Sequence, residues 1–177
     1  FPSDYALKYG DMLSLDLGVN YNGYYTDAAT TLVIGNMTPD QRLLIETTKG
    51  ALERAIVEAI PGNRTGDIGW SISDYVKKAG KGRLTVVKDL TGHGIGRDLH
   101  EDPVVYNYGT RGEGAELKAG MALAIEPMVS FGNGEVSQRE DESFALSDRS
   151  LSAHFEHTVL VTENGPVVLT QSGQDEN

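Results

Sequence analysis

The chain contains no cysteine, which excludes disulfides, zinc–thiolate clusters and a cysteine nucleophile. It is also short of positive charge: 15 Lys and Arg stand against 26 Asp and Glu, a formal net charge of −11. With no surplus of cations to neutralise phosphates, nucleic acid is not expected as a partner. No apolar run approaches the roughly 18 residues of a membrane span, and no signal peptide precedes the first strand-like segment. A membrane partner is therefore not expected, and the cytoplasm is the expected location. Tryptophan is almost absent as well; Trp70 is the single one, placed within a helical pattern where it reads as core packing. Glycine, by contrast, is plentiful at 21 of 177 residues, spread as turn residues rather than gathered into a linker. The length suits one domain with its own core.

MLSLDLGV alternates apolar and polar residues and predicts a strand. Asn22-Gly23 then predicts a two-residue hairpin turn, with YYTDAATTLVIG as the return strand. Thr38, Pro39 and Gln41 form a capping-box signature. They open a helix through PDQRLLIETTKGALERAIVEAI, with Leu44, Ala51, Ala55 and Ala59 at helical spacing and Pro61-Gly62 as its stop. Thr65 or Asp67 caps a second helix, roughly Ile68 to Lys78. Beyond Leu84 the predicted strands are LTVVKDL, DPVVYNYG, MALAIEPMVS, HFEHTVLVT and a short VVLT. Gly92, Gly94 and Gly96 mark an open loop between the first two of these. Strands, two helices and strands again predict an α+β fold, with helices on one face of a mostly antiparallel sheet.

Four carboxylates fall inside strand-like apolar runs: Asp16 in SLDLG, Asp27 in YTDAATT, Glu126 in AIEPM and Glu156 in HFEHTVLVT. A buried, unpaired carboxylate is costly. Several that converge repel one another unless a cation neutralises them. Two divalent ions balance four carboxylates, and a neutral imidazole, such as His93 in TGHGIG, adds a ligand without adding charge. That arithmetic points to a two-metal hydrolytic site.

With the turn at Asn22-Gly23, Gly18 pairs with Asp27, and Asp16 lies on the same face, diagonal to Asp27. Diagonal neighbours are roughly 7–8 Å apart at the backbone, which lets both carboxylates reach ions between them. The same pattern fits two solvated acids on an exposed face. Glu126 shares its face with the small Ala122 and Ala124, which leave room for a site, although an acid before proline also fits a strand-end contact with solvent. His93, between glycines, reads as a turn residue or a ligand. In the last long strand His154, Glu156, Thr158 and Leu160 share one face.

GHGIGRDLHEDPVVYNY (92–108), AIEPM (124–128) and SAHFEHTVLVT (152–162), with DLG and TDAATT upstream, resemble the type I methionine aminopeptidases over essentially the whole chain. The resemblance implies the pita-bread metallopeptidase fold, a curved antiparallel sheet covered by helices on one face, with residues 1–177 forming a single catalytic domain. EPM and EHT favour this family over the related proline-specific aminopeptidases. The resemblance also implies that two divalent metal ions are held by Asp16, Asp27, His93, Glu126 and Glu156. Asp27 and Glu156 would bridge the ions, His93 and Glu126 would bind one of them, and Asp16 the other. Such donors suit Co, Mn, Fe(II) or Zn without choosing among them. The implied reaction is hydrolysis of the first peptide bond in peptides and nascent polypeptides that begin with methionine, with Glu126 as base and proton shuttle. His100 matches a histidine that contacts the substrate amide, and Leu99 sits where the family often has a pocket phenylalanine.

Three features depart from the family pattern. FPSDYALKYGD resembles the segment just after the family's His-Gly-Ile-Pro motif, with Phe1-Pro2 matching its Ile-Pro. The chain is therefore expected to lack the N-terminal part of the fold and to be complemented by an N-terminal segment. Glu142 stands where a tryptophan usually lines the methionine pocket. His154 stands in place of a glutamine and fits a supporting contact, an extra ligand or a satisfied surface histidine. Alternative readings are a proline-specific relative and a catalytically weak homologue that acts as a binding module.

Overall fold

The computed structural model describes residues 4–140 and 143–171; Phe1, Pro2 and Glu142, singled out above, lie outside them. The chain opens as a hairpin of β1 (Met12–Tyr21) and β2 (Tyr24–Val33). Its turn residues Asn22 and Gly23 have φ of 52° and 80°, the left-handed conformation that a two-residue hairpin demands and Asn-Gly accepts most readily. The register follows from that turn: Gly18 faces Asp27 and Asp16 faces Ala29.

Two helices follow, α1 (Pro39–Val57) and α2 (Thr65–Ala79). The Thr38 hydroxyl accepts from Gln41 N at 3.2 Å while the Gln41 side chain accepts from Thr38 N at 2.9 Å, satisfying two otherwise orphaned donors. α1 stops at Val57 rather than at Ile60. Asn63 donates to the Glu58 carbonyl at 3.0 Å, so a side chain takes over an acceptor that the helix no longer uses. α2 starts earlier than expected. Asp67 is its third residue, and its carboxylate accepts from Arg64 N at 2.8 Å and Gly112 N at 3.0 Å.

The remaining strands are β3 (Thr85–Val86), β4 (Gly92–Gly94), β5 (Glu101–Val105), β6 (Ala122–Ile125), β7 (Met128–Ser130), β8 (Val136–Gln138), β9 (Phe144–Leu146), β10 (Ser152–His154), β11 (Glu156–Leu160) and β12 (Val167–Val168). The large sheet has seven strands in the order β1-β2-β11-β6-β4-β5, with β12 beside β11. A three-stranded sheet runs β10-β7-β3, and β8 pairs with β9 alone. Among the described residues every strand pairing is antiparallel.

Several expectations need correction. The segment from Gly92 to Gly94 is not an open loop but an inner strand between β5 and β6. A Cβ at Gly92 would collide with the Ala124 carbonyl, and one at Gly94 with the Asp102 carbonyl, so glycine is what lets the neighbouring backbones approach. MALAIEPMVS is not one strand. Pro127 has no N–H for a ladder, and the chain leaves the large sheet after β6 and enters the small one at β7. HFEHTVLVT divides likewise at Phe155, whose N–H goes to the Pro127 carbonyl at 3.4 Å. LTVVKDL and DPVVYNYG shrink to β3 and β5, while the β8–β9 hairpin was not expected at all. Trp70 is only half-buried; its ring is covered by the Arg111 guanidinium at 3.8 Å, a surface cation–π contact.

Leu44, Ala51 and Ala55 of α1 and Ile68 and Ile72 of α2 are fully buried and belong to one core with Leu123, Ile125 and Val159 of the large sheet. These sheet residues are odd-numbered. The even-numbered residues Ala124, Glu156 and Thr158 point to the opposite face, where the candidate site lies.

Candidate metal centre

Four strands, and the residue that directly follows a fifth, bring candidate donors to that face. Asp16 on β1 is opposite Ala29, and Ala29 is opposite Glu156 on β11. Asp27 on β2 lies two residues from Ala29 on the same face. Across β11 and β6, Thr158 pairs with Ala124, and Ala124 pairs with His93 on β4; Glu126 follows β6 directly. The two alanines between these rows carry only a methyl group, so the longer side chains can converge above them.

The donor atoms of Asp27, His93 and Glu156 all lie within 4.8 Å of one another, as do those of Asp16, His154 and Glu156. His93 Nδ1 is 2.9 Å from the Gly94 carbonyl. A carbonyl only accepts, so Nδ1 donates to it, and Nε2 faces Glu126 Oε1 at 3.5 Å. This arrangement suits a metal-ligating imidazole, whose second nitrogen is normally oriented by an outer partner. Thr158, which the sequence marked only as sharing a face with Glu156, clamps the Asp27 backbone. Its hydroxyl accepts from Asp27 N and donates to Asp27 O, both at 2.8 Å.

The electrostatics match the charge arithmetic. Glu156 is 2% exposed and its Oε1 is buried without a hydrogen-bond partner. Burial first, and then the charges of Glu126, Asp27 and Asp16, push its carboxyl up to about 10. Asp27 is also raised, mainly by burial and then by Asp16, against a smaller opposing effect of the Ala28 N–H. Without a cation Glu156 holds a proton. A divalent ion replaces that proton and gives the orphaned oxygen a partner, so the residues present fit bound metal.

His100 and Leu99 ride on the loop after β4. Tyr25 N donates to Gly96 O at 2.8 Å, and the Glu101 carboxylate accepts from Arg97 N and Asp98 N at 2.6 and 2.9 Å. Arg97 stacks on Tyr24 at 4.0 Å and donates to its hydroxyl at 2.7 Å. So pinned, exposed His100 meets the His93 ring edge-on at 4.4 Å between centroids. Leu99 packs over Gly18, where a Cβ would stand 3.2 Å from Leu99 Cδ1. A cleft of about 470 Å³ is lined by Asp16, His93, His100, Glu126, Phe144 and His154. A larger hollow of about 1060 Å³ beside α2 has no histidine in its lining, so size does not locate the chemistry.

Comparison with known proteins agrees with the fold. The model of metallopeptidase family M24 matches residues 1–163. A methionine aminopeptidase of Clostridium perfringens is 45% identical over 171 residues, covering 96% of this chain and 68% of that protein. The crystal structure of methionine aminopeptidase from Thermotoga maritima superposes with a TM-score of 0.89 at 45% identity, covering 93% of this chain and 66% of that one. Prolidase from Pyrococcus furiosus superposes with a TM-score of 0.74 at 29% identity, covering 97% of this chain and 44% of that one. The chain thus spans about two-thirds of the length of the methionine aminopeptidases it matches. A family match over nearly the whole chain, close relatives of one kind and a face of acids built around two histidines lead to one conclusion: this chain belongs to metallopeptidase family M24.

Proposed function

We propose that the chain is a methionine aminopeptidase that removes the N-terminal methionine from peptides and nascent polypeptides with two divalent ions, Co, Mn, Fe(II) or Zn. The observation that carries this reading is the convergence of donors from β1, β2, β11, β4 and the end of β6 onto a face where burial and mutual repulsion hold Glu156 protonated. Asp27 and Glu156 would lie between the ions, His93 and Glu126 on one side and Asp16 on the other. Residues 1–177 are read as one catalytic domain. When bound, the ions lower the pKa of water and polarise the scissile carbonyl.

The residues around the ions divide the remaining work. Glu126, at the lip of β6 and open to the cleft, takes the proton from the attacking water and returns it to the leaving amine. His100 donates to the substrate amide where negative charge develops. Leu99, beside Gly18 and Asp27, supplies apolar surface near the cleft. Among the described residues no helix is long and apolar enough to cross a membrane. An enzyme of nascent chains works where chains are made, which places it in the cytoplasm. The proline-specific and binding-module readings are less favoured, because identity to methionine aminopeptidases exceeds that to prolidase and no candidate donor is missing.

The test is elemental analysis paired with cleavage of Met-Ala-Ser with and without a chelator. Two ions per chain and chelator-sensitive release of methionine are expected. Chelator-resistant release would overturn the mechanism, and release from Pro-containing dipeptides alone would overturn the specificity.

A further inference from the structure

His154 is the one side chain at the centre that the family pattern does not account for, and it is neither satisfied nor at the surface. Its side chain is 14% exposed, and Nε2 is buried with no hydrogen-bond partner. The ring lies between two carboxylates, with Nδ1 3.9 Å from Asp16 Oδ2 and Nε2 3.5 Å from Glu126 Oε2. Its backbone is held on both sides by one buried hydroxyl: Thr31 Oγ1 accepts from His154 N and donates to His154 O, each at 2.9 Å. Pairing with Met128 on β7 fixes the strand as well. An imidazole so fixed, yet left without a partner, is a donor in waiting.

The donor atoms of Asp16, His154 and Glu156 lie within 4.8 Å of one another. Donors on opposite sides of an ion with bonds of about 2.1 Å lie roughly twice that apart, so small side-chain rotations close such a trio on a single ion. We propose that His154 is a direct ligand, through Nδ1, of the ion held by Asp16 and Glu156, with its Nε2–H donating to Glu126. Each half of the centre then carries one histidine. The division of labour within the ring mirrors that of His93, where one nitrogen faces the site and the other donates to an oxygen. A neutral imidazole strengthens the second position without adding charge and shifts its preference from hard, oxygen-seeking ions towards Zn, Fe and Co. The second histidine also ties the two halves together, because Glu126 belongs to the His93 side.

The inference rests on the dinuclear reading, and cobalt distinguishes the two. Imidazole N–H protons of histidines bound to Co(II) appear as strongly shifted, exchangeable proton resonances. The wild-type protein loaded with Co(II) should show two such signals, His154→Gln one, and His93→Ala the other one. Calorimetric titration with Co(II) should show the weaker step of His154→Gln reduced at least tenfold, with the tighter step unchanged. Two bound ions with a single shifted imidazole signal in the wild type, and unchanged affinities in His154→Gln, would overturn the role of His154 and leave the dinuclear centre standing. Uptake of no ion, or only one, by the wild type would overturn both. Because the His93→Ala comparison reads the His154 signal directly, the outcome does not depend on how well His154→Gln folds.

Discussion

One row of residues crosses four strands of the large sheet, and its surroundings change completely on the way. Leu17 on β1 is opposite Ala28, Ala28 is opposite His157, and His157 is opposite Ile125 on β6. All four point to the helix side. Ile125 is 0% exposed beneath the helices, whereas Leu17 is 68% exposed. Leu15, Val19 and Tyr21 share the open surroundings of Leu17. The site on the other face has the same gradient: Glu156 is 2% exposed, while the Asp16 side chain is 58% exposed. Alternation along a strand therefore decides which side chains share a face, but not whether anything covers that face. At the β11 end, cover makes Glu156 costly to ionise; at the β1 end the Asp16 side chain stays solvated.

Predictions follow that difference. Glu156→Gln, at the covered end, should eliminate tight metal uptake and lower kcat/KM by more than the roughly 100-fold typical of groups that merely support a ligand. Retained turnover in metal-stripped protein would break the dinuclear account. His100→Ala should lower kcat about 100-fold, as loss of a transition-state donor does, while metal content stays unchanged; a parallel loss of metal would make it a structural residue. Ile125→Ala should cost about 2–5 kcal/mol by chemical denaturation, through a cavity under the helices.

A smaller effect is expected from pH in the metal-free protein. Glu156 rises from 4.5 to about 10 on folding. The folded state therefore holds a proton that the unfolded chain has lost, and stability present below 4.5 declines as pH climbs towards about 10. The Tm of metal-free protein should fall by a few degrees or more over that window. Saturating metal should remove or reverse the slope, since the ion takes the proton's place. A flat profile without metal would show that Glu156 is not held protonated. The smallest effect belongs to the open end: Leu17→Ala should change stability by less than about 0.5 kcal/mol. A cost near that of Ile125→Ala would show that the β1 face is covered in solution.

Much of the site was legible because its elements are local. The Asn22-Gly23 turn dictates the pairing of Gly18 with Asp27, and so sets Asp16 and Asp27 on one face. The capping box at Thr38 marks the start of α1 for the same reason. The failures have a common origin in distant contacts. Gly92 and Gly94 looked like loop residues because their strand is made by the close approach of Ala124 and Asp102, which are remote in sequence. Pro127 was visible, but not that the chain would change sheets there. Thr158 looked like a face-mate of Glu156, and its clamp on Asp27 depends on a neighbour 131 residues away. For His154, three roles were open until the structure set it between Asp16 and Glu126.

By itself, the sequence determined the donor types, the turn that orients the first two acids, the periodicities of strand and helix, and the absence of thiol chemistry. Those are properties of residues and of their immediate neighbours, where sterics and backbone hydrogen bonding act over a few positions. Only the tertiary structure decided the strand order β1-β2-β11-β6-β4 that gathers donors from Asp16 to Glu156, and which end of each row is covered. Burial and the neighbouring acids hold the Glu156 carboxyl protonated and raise that of Asp27, because desolvation and repulsion depend on what the rest of the chain folds against them.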